Sequence, residues 1–322
     1  MLKLPDLSAL MPARDGLSRP DWDAIEACIN KAIPEKYRND AWAQAARQWL
    51  ELVAGQLDGD YICEESQNFI VLTESSKRLA RDVCKFYEKA LKTIIKYLPG
   101  VASDDGYGKH VVMMFTKEDD YYRYIMYFYP DGEHPMSGGV CLSGDGYTHY
   151  AFPLNETDPS GYRGTLVHEL THGCLEHLEI PTWLNEAIAM RMEHALCGSS
   201  PLDLDREQYR RHKEYWNAAT IQQFWAGSSW SIVEDGFELS YSLAKIIWRK
   251  FEKDLRAPQS AILEFIATAN HADAGEGACR RLFDLSLGDF VADFLGEGPW
   301  APDPERYLME YEGGKDVERV PE

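Results

Sequence analysis

The run His168-Glu169-Leu170-Thr171-His172 places two imidazoles four positions apart, with a carboxylate beside the first. On a helix four residues are slightly more than one turn, so His168 and His172 leave the same face and can share one metal ion. Glu169 stands next to that face, in position to hold a water. Two ligands are too few for a catalytic zinc, which takes three protein ligands and keeps a fourth position open. Glu186 is the candidate third ligand. Gly173 and Pro181 bracket a helix end and a turn, after which a second helix brings a carboxylate back.

Glu186 lies in Trp183-Leu184-Asn185-Glu186-Ala187-Ile188-Ala189, which reads W-L-N-E-x-x-A. H-E-x-x-H followed by this segment resembles the gluzincin zinc metallopeptidases, both the W-L-N-E-G-F-A stretch of zinc aminopeptidases and the shorter peptidase-MA-like hydrolases. The resemblance covers about residues 66–295 in general layout. It implies one zinc ion per chain, held by His168, His172 and Glu186. Glu169 would be the catalytic base, taking a proton from a water that the zinc polarises and passing it to the leaving amine. The implied protein is a hydrolase of peptide bonds, a metallopeptidase acting on a peptide or protein substrate. Three features depart from the aminopeptidase pattern. Only residues 173–185 separate the second histidine from the glutamate, Ala187 replaces the usual glycine, and no upstream G-x-M-E-N stretch is present. The resemblance therefore implies zinc hydrolysis without implying aminopeptidase specificity.

The developing oxyanion needs a hydrogen-bond donor besides the metal, commonly a tyrosine or histidine. Tyr241, in a helix opened by Ser240-Tyr241-Ser242, resembles in position the tyrosine of the gluzincin helix that follows the ligand helix. A plain packed tyrosine fits that position as well, and His212 and Tyr209 compete for the role. Glu193, a heptad after Glu186, reads as solvated surface or as a residue orienting a ligand.

The elements that carry these residues follow from periodicity and punctuation. Helical stripes run over 21–33 and 40–54, with Trp42 and Trp49 as core residues. Two β-α units come next: strand 69–73 with helix 75–98, then strand 110–116 with helix 118–129, the last broken by Pro130-Asp131-Gly132. The tyrosines at 121, 122, 124, 127 and 129 read as packing on that helix. Strands over 137–142 and 148–153, joined by Gly144-Asp145-Gly146, form a hairpin. In gluzincins an edge strand at this place binds extended substrate, which points to residues 138–141. Asp158-Pro159-Ser160-Gly161 starts the helix over 162–178 that carries the two histidines, and Thr182 caps a helix over 183–196 that ends at Gly198. Helices over 205–216, 220–226, 238–251, 258–269, 277–285 and 287–295 follow.

The expected fold class is α+β: a small mixed β-sheet with helices, then a mostly helical C-terminal half, with a gluzincin-like cleft between them. The corresponding divisions are a helical segment at 1–65, an α/β subdomain at 66–160, a helical subdomain with the zinc site at 161–296, and an acidic tail at 297–322.

Composition bounds the alternatives. With 45% hydrophobic and 12% aromatic residues in 322, the chain is long and apolar enough for a sizeable core. Its 53 acidic against 33 basic residues give a net charge of −20, which argues against nucleic acid and anionic membranes as partners. The seven scattered cysteines, without a C-x-x-C pair, read as free buried thiols in a reducing compartment, and Cys174 should face away from the metal. No apolar run reaches signal-peptide or membrane-span length, so a cytoplasmic location is expected. Two other functional readings stand beside the peptidase: a protein-interaction module that keeps a structural zinc, and a zinc hydrolase acting on another amide or ester.

Overall fold

The computed structural model describes residues 4–104, 106, 108–129, 138–142, 147–154, 162–198, 204–232 and 235–306. The expected turn at 144–146, the helix-start residues 158–161, the breaker at 130–132 and the tail beyond 306 lie outside them. The described residues are α+β, as expected. They divide into two compact units, residues 1–96 with 104–173 and residues 97–103 with 174–322.

The first unit opens with a two-stranded hairpin, β1 (Ala13–Arg14) and β2 (Leu17–Ser18), turned by Asp15 and Gly16 at φ of 52° and 77°. Helix α1 (Trp22–Ala32) starts where the Asp21 carboxylate accepts from the Ala24 amide, and buries Trp22, Ile25 and Ile29 as its spacing predicts. Helix α2 (Arg38–Gln56) buries Trp42 and Trp49, which pack around Trp22. Strand β3 (Ile62–Glu65) is unexpected, since one isoleucine and two glutamates carry no strand pattern; it pairs antiparallel with β4 (Phe69–Thr73). Helix α3 (Lys77–Tyr97) crosses from β4 to its parallel neighbour β5 (His110–Phe115), which is the first predicted β-α unit.

Helix α4 (Glu118–Ile125) is a turn shorter than expected. At its end the Tyr124 carbonyl accepts from Arg19 Nη2 at 2.8 Å, so a carbonyl left over by helix termination is satisfied by a side chain. Tyr121 and Tyr124 are fully buried, in line with packing. Strand β6 (Val140–Leu142) pairs antiparallel with β7 (His149–Pro153), and β7 runs parallel to β5. The five-stranded order is β3-β4-β5-β7-β6, so the expected hairpin puts β6 at a sheet edge. Strands β4, β5 and β7 are almost wholly buried, as parallel strands covered on both faces must be. Helix α5 (Tyr162–Leu175) follows, ending three residues before the expected 178, and the division between the units falls within it.

The second unit is helical among its described residues: α6 (Thr182–Cys197), α7 (Arg206–Tyr215), α8 (Thr220–Ala226), α9 (Asp235–Arg249), α10 (Gln259–Thr268), α11 (Glu276–Phe283) and α12 (Leu287–Leu295). Thr182 is the first residue of α6 rather than its cap; Pro181 precedes it, without a capping side chain. Gly198, at φ 67°, closes α6 as expected. Helix α6 packs on α9. Trp183 fixes the start of α6: its indole donates to the Ala274 carbonyl at 2.9 Å and meets Trp225 and Phe265. Arg191 pairs with Glu252 at 2.7 Å and lies over Tyr97.

No helix among the described residues is long and apolar enough to cross a membrane. None of the seven cysteines is in a disulfide, and Cys63 and Cys197 are exposed where buried thiols were expected.

Candidate metal centre

Helix α5 presents His168 and His172 on one face, their rings edge-on with centroids 4.7 Å apart. Glu186 stands on the second turn of α6. One donor atom from each of the three lies within 4.8 Å of the other two, and each residue is half-buried. This is the set expected from spacing. Its chemistry fits zinc: two imidazole nitrogens and one carboxylate oxygen form the borderline donor set that zinc takes in catalytic sites, with one position left open. Tetrahedral ligands about 2.1 Å from the metal sit roughly 3.4 Å apart, so closing on an ion takes at most roughly an ångström and a half of movement by rotatable side-chain ends.

Glu169 is buried, with 7% of its surface exposed. Tyr87 and Tyr129 share its surroundings: burial raises both phenol pKa values, and the Glu169 charge raises them further. Neither tyrosine was singled out from the sequence, since Tyr87 reads as one more core position of α3 and Tyr129 as one more member of a tyrosine cluster.

Gly173 holds α5 against the sheet. A Cβ there would fall closer than 3.0 Å to the Tyr150 hydroxyl oxygen and 3.1 Å from Tyr150 Cζ, so a bare backbone is what lets the histidine helix seat on β7. Gly173 and Pro181 were expected to bracket the helix end, and α5 does end between them, at Leu175. A Cβ on Gly138 would likewise lie 3.1 Å from Thr165 Oγ1, which sets the start of the β6 segment beside the first turn of α5.

Cys174 is fully buried and outside the ligand group, as its angle on the helix predicts. Tyr241 lies on α9, the helix packed on α6, with its ring edge-on to Phe237 and Trp230 at 5.0 and 6.1 Å. His212 has no exposed surface. Its Nδ1 accepts from the Trp216 indole at 2.9 Å, so its Nε2 carries the proton and donates to Ser242 Oγ at 2.9 Å. Both nitrogens are committed, and burial lowers its pKa to about 4, so His212 is a core histidine and no rival to Tyr241. Tyr209 is largely exposed, edge-on to Phe294. His149 is another buried neutral histidine. Its Nδ1 donates to the Tyr147 carbonyl and its Nε2 accepts from the Tyr124 hydroxyl at 2.6 Å.

No protein-family model matches the chain, and no curated protein matches it in sequence.

Proposed function

We propose that the protein is a single-zinc hydrolase that cleaves peptide bonds. The supporting observation is the convergence of His168, His172 and Glu186 within 4.8 Å, with the Glu169 carboxylate on the helix that carries both histidines. In this reading those three residues hold the zinc, which supplies Lewis acidity to a water and to the substrate carbonyl. Glu169 accepts the proton of the attacking water and hands it to the departing amine, so one carboxylate serves as base and then as acid. Its burial keeps competing solvent away from that exchange. Tyr241 is assigned as the oxyanion donor through its hydroxyl. An extended peptide would lie along β6, the edge strand whose approach begins beside α5.

The test is Glu169→Gln, assayed against a peptide library with the metal content of each preparation measured alongside. The amide keeps size and polarity and loses basicity, so turnover should fall by about 10²–10⁴-fold with zinc retained. Full turnover in a zinc-loaded Glu169→Gln protein refutes the assignment.

A further inference from the structure

A pocket of about 500 Å³ opens among the first loops of the chain, and none of His168, Glu169, His172 or Glu186 lines it. That volume lies within the range of small-molecule sites. Arg14, Arg19, Asp21, Asp23 and Tyr127 supply its polar wall, and Pro12 and Trp22 are among its apolar residues.

Arg19 is the anomaly. It is only 5% exposed and has no carboxylate partner among the described residues. Its Nη2 donates to the Tyr124 carbonyl, while Nε and Nη1 are buried without a hydrogen bond. The guanidinium rests against the rings of Tyr127, Tyr124 and Phe128, with centroids at 4.4, 4.5 and 5.1 Å. One carbonyl and three ring faces hold this cation without neutralising it, and an arginine stays charged even where burial lowers its pKa. Tyr127 therefore forms a pocket wall backed by a full positive charge. Arg14, exposed and also outside any ion pair among the described residues, donates to the Tyr127 hydroxyl at 3.1 Å. Two guanidiniums outside any ion pair among the described residues flank one ring, with the Asp15 charge reaching Arg19 only from beyond ion-pair distance, in a chain whose net charge is −20.

The pocket also receives the N-terminus of α1, whose Trp22 and Asp23 line it. Helix N-termini attract anions, and here the buried arginine gives that tendency a second source. Asp21 is already engaged at the helix cap, accepting from the Ala24 amide at 2.9 Å. Asp23 is exposed and has no ion-pair partner among the described residues. A purely anionic ligand would meet repulsion from Asp23, and a purely cationic one would meet it from Arg14 and Arg19. A zwitterion satisfies both.

We infer that this pocket binds a free α-amino acid with an apolar side chain. Its carboxylate lies toward Arg14, in the field of Arg19; its ammonium lies toward Asp23; its side chain rests against Pro12 and Trp22. The inference is independent of the metal centre.

Isothermal titration of the full chain with L-methionine, N-acetyl-L-methionine, L-methioninamide and inorganic phosphate tests it. Methionine should bind with a Kd on the order of 1 mM or tighter, and each blocked analogue should bind at least about tenfold more weakly. Arg14→Gln should remove the preference for methionine over methioninamide and keep the preference over the N-acetyl compound. Asp23→Asn should do the reverse. Both side chains are exposed, so neither variant challenges folding. Three outcomes overturn the inference: no methionine binding, equal affinity for all three organic probes, or phosphate binding as tightly as methionine. Unchanged discrimination in both variants would place any binding elsewhere and overturn it too.

Discussion

Gly173→Ala reverses an ordinary rule and thereby tests how the histidine helix is seated. Within a helix that has room for a methyl group, replacing glycine by alanine stabilises by about 1 kcal/mol, because alanine loses less backbone freedom. At Gly173 the new Cβ falls closer than 3.0 Å to the Tyr150 hydroxyl oxygen, 3.1 Å from Cζ and 3.3 Å from Cε1, where ordinary contact begins at 3.4 Å. Tyr150 is fully buried on β7 between β5 and β6, so it has little room to withdraw. Overpacking of this kind costs roughly 1–3 kcal/mol, which outweighs the propensity gain and leaves a net loss on the order of 1 kcal/mol. The displaced residue adjoins His172, so zinc affinity should fall as well. Removing the obstructing oxygen with Tyr150→Phe should restore much of the loss, giving a coupling of about 1–2 kcal/mol in the double-mutant cycle. Urea denaturation of the metal-free wild type, both single variants and the double variant reads this directly. A Gly173→Ala protein more stable than wild type, or additive effects in the cycle, refutes the close approach of α5 to β7.

Acid sensitivity should come in part from two buried histidines, since burial lowers the pKa of both His149 and His212 to about 4. The unfolded chain takes up protons at these positions near pH 6.5 and the folded chain does not. Stability is therefore full above pH 6.5 and is lost as pH falls toward 4, on the order of 2–3 kcal/mol for each histidine. Denaturation midpoints that do not change between pH 7 and pH 5 contradict this. Ser286 caps α12, accepting from the Gly288 amide at 3.1 Å while its hydroxyl donates to Glu276 at 2.7 Å. Ser286→Ala should cost about 1–2 kcal/mol in thermal or chemical unfolding, and a loss below a few tenths removes that role.

Legibility from sequence followed from where the determining contacts lie along the chain. Strand β4 and helices α8 and α12 match their expected bounds because apolar runs and punctuating residues there are local. Strand β3 has no such run. It exists because β4 offers it a partner, and its acids are taken up by Arg47, Arg81 and Lys109. The β1-β2 hairpin carries a local signal in Asp15-Gly16, a pair suited to left-handed turn positions, but its two-residue strands offer no apolar alternation beside it. Helix α4 ends early on a contact with Arg19, more than a hundred residues upstream, which local sequence does not reveal. In the candidate site, His168 and His172 were readable from helical geometry alone. The convergence of Glu186 with them required a chain reversal that punctuation suggested correctly. The need for glycine at 173, set by Tyr150, and the full engagement of His212, set by Trp216 and Ser242, belong to tertiary packing and leave no trace in local pattern.

The central claim is that His168, His172 and Glu186 hold one metal ion. Elemental analysis of protein purified without added metal, with wild type beside His172→Ala and Glu186→Ala, tests it most directly. The account predicts about one zinc per wild-type chain and loss of the metal in both variants. A wild-type protein that binds no zinc even after reconstitution, or a Glu186→Ala protein that keeps a full equivalent, contradicts it.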